Sequence, residues 1–204
     1  MRLFCSLTSP YARKCRALVR ELTLEPHVEE VLTDPWSDAS LRAVNPLGKI
    51  PALVLNDGSA IYDSPVICEY LNDVKVGKFI PRPTLFAEAK GKWRALTLQA
   101  LGDGVMDATV RRYLELRRPE GQRSNEVIAR QSEAIEAALA TLNRASVKFP
   151  EQPTIGELAS ACALGYLDLR APEDFWRVRQ PQLAAWYEIF SQRPSMVATA
   201  PPTN

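Results

Sequence analysis

The stretch from Asn45 to Ser64 (Asn-Pro-Leu-Gly-Lys-Ile-Pro-Ala-Leu-Val-Leu-Asn-Asp-Gly-Ser-Ala-Ile-Tyr-Asp-Ser) constrains the fold more than any other part of the chain. Asn45-Pro46 and Gly48 predict a turn, because proline restricts the residue before it and glycine permits a positive φ. Ala52 to Leu55 is a short apolar run of strand character. Asn56-Asp57-Gly58 predicts a hairpin, since an Asp-Gly pair suits a turn that needs positive φ. Ala60 to Tyr62 is the return strand. Asp63-Ser64-Pro65 predicts a helix start, with an oxygen-bearing cap and proline in the first turn. The stretch is thus a hairpin fed by Ile50-Pro51 and drained into a helix N-terminus. Two readings stay open on these residues alone. One is an ordinary hairpin–helix unit. The other is a binding site, because proline leaves its neighbours' backbone groups available and a helix N-terminus offers unpaired N–H groups to a carboxylate.

The rest of the first third supplies partners for the hairpin. Arg2 to Ser6 predicts a strand. A helix follows from about Tyr11 to Leu24, with Tyr11, Cys15, Leu18, Val19 and Leu22 on its apolar face. Ser9 stands at its N-cap and Pro10 at its first position. Arg13 and Lys14 read as solvated helix residues, in preference to the alternative that they orient a site. Glu29 to Leu32 is a second strand, beginning near His27. Asp34 to Ser37 is a loop, residues 38–44 form a short helix, and another helix runs from Pro65 to about Val74. The order β-α-β-α-β-β-α is that of a thioredoxin-like domain, and its first crossover makes the first two strands parallel.

The totals exclude several classes. The charges nearly cancel, 25 basic against 24 acidic, so no basic excess argues for nucleic acid or an anionic membrane surface. The opening Met-Arg-Leu-Phe-Cys lacks the apolar core of a signal peptide. No stretch is long and apolar enough to span a membrane. The four cysteines, Cys5, Cys15, Cys68 and Cys162, lack the paired spacing of a zinc site or a disulfide framework. A reduced, cytoplasmic protein is expected, with no metal. His27 is the only histidine. That argues against His-dependent triads, and His27 itself reads as structural.

Asn-Pro-Leu-Gly-Lys-Ile-Pro, a hairpin, then Asp-Ser before a helix resembles the N-terminal domain of the soluble glutathione S-transferases in order and spacing. In that family the proline is cis, and the residue before it pairs its backbone with the cysteinyl unit of glutathione. The acid–Ser pair holds the γ-glutamyl carboxylate. The resemblance therefore implies glutathione-binding roles for Ile50, Pro51, Asp63 and Ser64. Lys49 reads either as a contact to a glutathione carboxylate or as a solvated loop lysine. The resemblance also implies glutathione as co-substrate and a homodimer.

Ser9-Pro10-Tyr11-Ala12 stands where thioredoxin-like proteins carry Cys-x-x-Cys. Both thiols are replaced here, so no dithiol–disulfide cycle runs at this motif. The arrangement resembles that of serine-type glutathione transferases, in which the hydroxyl donates a hydrogen bond to the glutathione sulfur. A cysteinyl thiol titrates at about 8.5. A hydrogen bond to a charged group contributes roughly 1.5–3 kcal/mol, and a helix N-terminus adds roughly 0.3–2 kcal/mol. At about 1.36 kcal/mol per unit, the low end lowers the thiol pKa by a little over one unit. Ser9 is the catalytic candidate, as a donor that is never ionised. The alternative is a plain N-cap worth about 1 kcal/mol. Cys5 and Cys15 read as buried small hydrophobes.

Residues 77–84, with Pro81 and Pro83, read as a linker between a domain over residues 1–76 and an all-helical domain over 85–204. Phe86, Ala89, Trp93, Leu96 and Ala100 step by three and four in a helix running to about Arg117, with a kink at Gly102-Asp103-Gly104. A second helix spans roughly Pro119 to Ala145, with Ile128, Ile135, Leu139 and Leu142 on one face. A third, Thr154 to Arg170, opens with a Thr154/Glu157 capping box. A last helix covers about Pro181 to Gln192, with Leu183, Trp186, Tyr187 and Phe190 inward, and the tail from Pro194 reads as loose. Trp93, Val105, Met106, Thr109 and Tyr113 are candidates for the wall of a pocket for a small hydrophobic electrophile. Either Asp103 or Asp107 resembles the acid that, in related transferases, crosses the dimer to the γ-glutamyl amine; the alternative for both is a solvated or capping role at the glycine kink. The expected function is detoxifying conjugation of glutathione to that electrophile. Alternatives are a non-catalytic relative that binds protein partners, or a glutathione-dependent reductase, dehalogenase or isomerase on the same site.

Overall fold

The computed structural model describes residues 1–74 and 89–202. The expected linker and Phe86 lie outside the described residues. The chain divides into two compact units: Met1–Lys92 with Pro194–Asn204, and Trp93–Arg193.

The first unit is thioredoxin-like. In chain order it contains β1 (Arg2–Cys5), α1 (Pro10–Glu21), β2 (Glu29–Leu32), α2 (Leu41–Val44), β3 (Ala52–Val54), β4 (Ala60–Ile61) and α3 (Ser64–Asp73). The sheet order is β2-β1-β3-β4. β1 runs parallel to β2 and antiparallel to β3, and β3 pairs antiparallel with β4. Strand alternation puts Phe4, Ala52 and Val54 on one face, where Leu41 of α2 closes a cluster with Val31, Val44, Ile50 and Ala60. The opposite face carries Leu3, Cys5 and Leu53, all fully buried. α1 and α3 pack against each other. Each fully buried leucine or isoleucine here contributes about 1.5–3 kcal/mol. Glu30 of β2 grips α1 through Arg16 Nε and Arg20 Nη1, both at 2.6 Å. Burial raises the Glu30 pKa, but these two hydrogen bonds more than offset it and hold the carboxyl below its usual range. His27 is exposed and sits in a 3-10 turn, Glu25–His27, rather than in the strand, because β2 begins only at Glu29.

The second unit is helical: α4 (Ala89–Leu116) from Trp93 onward, α5 (Asn125–Ser146), α6 (Ile155–Arg170), α7 (Trp176–Arg179) and α8 (Pro181–Phe190). α5 starts later than its apolar pattern predicts. Pro119 leads into a 3-10 turn, and Ser124 caps the helix by accepting from Val127 N–H at 3.2 Å. The capping box of α6 is present, with Glu157 Oε2 accepting from Thr154 N–H at 2.8 Å. Burial along α6 is continuous from Ile155 to Leu167, so the helix is enclosed on all sides. Leu183, Tyr187 and Phe190 of α8 are buried, and Trp186 packs edge-on against Phe149 with ring centroids 4.8 Å apart.

α4 passes through residues 102–104 as one uninterrupted helix, in place of the expected kink. Gly102 is there for packing: a Cβ at this position would lie 2.9 Å from the Ala159 carbonyl carbon of α6. Gly156 of α6 makes the reciprocal approach: a Cβ there would lie 2.7 Å from the Ala95 carbonyl oxygen of α4. One glycine on each helix lets the two backbones cross closely.

The tail is also more ordered than the sequence predicts. Pro194–Ala198 forms α9, which packs on α1. Ser195, Met196 and Thr199 are buried. Ser195 Oγ donates to Glu21 Oε1 at 2.5 Å, and Arg13 Nη2 donates to the Met196 carbonyl at 3.1 Å. Arg13 is buried under this tail, Lys14 is fully buried as well, and neither is a solvated helix residue.

The close crossing of α4 and α6 makes a contrast of two substitutions. Gly156→Ala is expected to cost about 1–3 kcal/mol by overpacking. Gly104→Ala, which meets nothing within 4 Å, is expected to gain roughly 0.5–1 kcal/mol through helix propensity. Urea unfolding of both variants checks the pair.

Candidate active site

Strand register decides which loops meet. Phe4 of β1 pairs with Ala52 of antiparallel β3, so the chain leaving β1 and the chain entering β3 share one sheet edge. Leu53 pairs with Ile61, so the chain leaving β4 emerges at the same edge. That edge collects Ser9, the Lys49-Ile50-Pro51 segment and Asp63-Ser64. α1 starts there at Pro10 and α3 at Ser64. Two packed helices therefore begin at the same end of the sheet, and each N-terminus favours a negative charge by about 0.3–1 kcal/mol.

Ser9 is the N-cap of α1, in extended backbone, and its Oγ accepts from Ala12 N–H at 3.2 Å. The cap and donor roles are compatible. A hydroxyl has one donor proton and two acceptor lone pairs, and the cap uses a lone pair. The cap holds the oxygen through one lone pair and does not consume the hydroxyl proton.

The segment before β3 is built around Asn45. Its backbone N–H donates to the Leu41 carbonyl at 2.8 Å and its carbonyl accepts from Gly48 N–H at 2.8 Å. Its side chain closes the loop twice, with Oδ1 accepting from Leu47 N–H at 3.0 Å and Nδ2 donating to the Lys49 carbonyl at 2.8 Å. Asn45 is 1% exposed. Gly48 adopts φ +61°, the conformation the turn requires. Sequence reasoning saw Asn45 only as a turn residue. Its spacing of four from Lys49 was the available signal. Ile50–Pro51 is cis, as the family resemblance implies, and so is Tyr62–Asp63. Pro51 is buried, Ile50 half-buried and Lys49 exposed.

At the start of α3, Ser64 is buried at the first helical position and its carbonyl accepts from the Cys15 thiol at 3.8 Å. Asp63 holds the N-cap position, but its side chain makes no cap hydrogen bond and is exposed. This corrects the expectation of an oxygen cap at Asp63. The carboxylate remains available to a ligand, unlike those of Asp34 and Asp57, which Ser37 and Ser59 engage.

The remaining candidates are distributed differently. Val105, Met106 and Thr109 are interior residues of α4, Tyr113 is half-buried and Trp93 is 73% exposed. Asp103 is half-buried and Asp107 exposed on the same helix. A cleft of ≈ 600 Å³ opens in the helical unit beside Arg112, Glu136, Asp174 and Arg179. It contains none of the candidate residues, and its guanidinium groups are already paired with Asp174 and Glu136. Among the described residues no group of His, Cys, Asp and Glu is arranged to hold a metal. No described helix is long and apolar enough to cross a membrane.

All four cysteines are buried. Burial, with Glu30 nearby, pushes the Cys5 thiol up to about 11. Cys15 and Cys68 have sulfurs 3.8 Å apart between α1 and α3. Enclosed thiols are inert because a reagent cannot reach them. A disulfide reagent at pH 8 is therefore expected to leave the native chain unlabelled and to label it in denaturant. Rapid labelling of the native chain would contradict this placement.

Two family descriptions match the chain. Residues 8–74 match the glutathione S-transferase N-terminal domain and residues 125–188 its C-terminal domain. The chain is 34% identical to YibF of Escherichia coli (strain K12), described as an uncharacterized GST-like protein, over 99% of both chains. It is 42% identical to a glutathione transferase family member of Pseudomonas fluorescens Pf-5 solved with bound glutathione, with TM-score 0.92 and 99% of each chain covered. A structure of a family member from the same organism holds S-(propanoic acid)-glutathione, with 41% identity, TM-score 0.88 and full coverage of both chains. The chain belongs to the glutathione S-transferase family.

Proposed function

We propose that this chain is a serine-type glutathione transferase. It binds glutathione at the shared sheet edge and stabilises its thiolate through Ser9. The observation that carries this reading is the convergence of Ser9, Ile50-Pro51 and Asp63-Ser64 where α1 and α3 both begin. Glutathione bound by a relative at 42% identity supports the ligand. An S-substituted glutathione bound by a relative at 41% identity supports a product with a carbon–sulfur bond.

The chemistry follows from the donors. The buried Ser64 and the N-terminus of α3 suit the γ-glutamyl carboxylate. The exposed Asp63 carboxylate suits the ammonium on the same carbon. The Ile50 backbone pairs with the cysteinyl unit, and Lys49 lies one residue from it, suited to a glutathione carboxylate. The Ser9 hydroxyl then donates to the sulfur, and the N-terminus of α1 adds its field. The sulfur lone pair forms a bond to an electrophilic carbon. The displaced pair leaves with a leaving group or, in an addition, collects a proton from solvent. The thiol proton is released to solvent as the thiolate forms, and Ser9 keeps its own proton throughout, so no general base on the protein is required.

Calorimetric titration with glutathione tests the reading. Wild type is expected to bind. Ser64→Ala should weaken binding by about tenfold or more, the value of a hydrogen bond to a charged group. Ser9→Ala should bind glutathione but turn over a model aryl halide about tenfold or more slowly at neutral pH. A wild-type chain that does not bind glutathione overturns the reading. Unchanged turnover in Ser9→Ala removes the role of Ser9.

A further inference from the structure

The peptide plane that carries Ile50 N–H has a visible restraint. The Lys49 carbonyl and the Ile50 N–H belong to one planar peptide unit and point in opposite directions. Whatever fixes that carbonyl therefore aims that N–H. The Lys49 carbonyl accepts from Asn45 Nδ2 at 2.8 Å. Asn45 is itself held on three sides. Its Oδ1 accepts from Leu47 N–H, its backbone N–H is bonded to the Leu41 carbonyl, and its carbonyl to Gly48 N–H. Leu41 is locked in the core cluster with Phe4, Ala52 and Val54. An unbroken series of contacts thus runs from the sheet core through Asn45 to the peptide plane that precedes Pro51.

We propose that Asn45 is a positioning residue for glutathione: its carboxamide sets the direction of the Lys49–Ile50 peptide and so the backbone hydrogen bond to the cysteinyl unit. This deepens the glutathione reading and rests on it. Asn45 touches no reacting atom, so its effect falls on glutathione affinity and not on the carbon–sulfur bond-forming step. Asparagine is required, and not merely a polar residue, because one end of the side chain must accept and the other must donate. An aspartate carboxylate in its place would present only acceptors, and one of them would face the Lys49 carbonyl.

Two variants and one measurement on the wild type test this. Asn45→Asp keeps the shape and loses the donor. Asn45→Ser is too short to reach the Lys49 carbonyl. Both are expected to raise the glutathione Kd and KM by about tenfold, while kcat at saturating glutathione stays within about twofold of wild type. In the wild type, saturating glutathione is expected to slow hydrogen exchange at Leu47 N–H, the amide bonded to Asn45 Oδ1. The proposal is overturned by an unchanged Kd in a folded variant, even if its Tm falls, since the two hydrogen bonds then serve fold stability alone. It is also overturned by unchanged Leu47 exchange, a result that does not depend on any variant folding. A wild-type chain that binds no glutathione overturns the underlying reading instead, and calorimetry on the wild type alone separates that outcome from the others.

Discussion

The antiparallel pairing of β1 with β3 is the interaction on which the rest of the candidate site depends. Phe4 opposite Ala52 and Leu3 opposite Leu53 set the register. A slip of one residue would turn Leu53 away from the interior and break the cluster of Phe4, Ala52, Val54 and Leu41. The same register fixes where chemistry is placed. It brings the start of α1, the end of the Asn45–Lys49 loop and, through β4, the start of α3 to one edge of the sheet. Burial of apolar side chains thus determines the site before any polar residue is considered.

What collects at that edge is mostly donor. Helix N-termini, a serine hydroxyl whose lone pair is engaged by its own helix, a buried serine and a backbone N–H all favour an anion. Asp63 is the exception, and its side chain is not spent on capping α3. A set of donors with one carboxylate is matched to a ligand with two carboxylates, a thiolate and one ammonium, which is the charge pattern of glutathione with its thiol ionised. The interior cysteines take no part. All four are enclosed in the interior, away from the strand ends where the candidate residues collect.

The parts of the fold legible in the sequence are those with local causes. The hairpin followed from Asp57-Gly58, the cap of α1 from Ser9-Pro10, and the capping box from Thr154 and Glu157. The parts that were not legible depend on contacts distant in sequence. α9 is five residues long, too short for a periodic pattern, and it is stabilised by Glu21 and Arg13 of α1. Arg13 is buried because that distant segment covers it, which nothing in its neighbourhood predicts. Gly102 looked like a helix breaker, whereas its role is the close approach of α6, a reason located in a different helix. At the site, the residue types were readable but the role of Asn45 was not, because its meaning lies in two backbone groups that only the folded loop brings to its side chain.

The central claim is that this sheet edge favours a thiolate. Titration of the bound glutathione thiol, followed by its ultraviolet absorbance against pH, measures that directly. The account predicts that the bound thiol ionises at least about one unit below the free thiol in the wild type, and that Ser9→Ala moves it back toward the free value. A bound thiol that titrates like free glutathione, with or without Ser9, would contradict it.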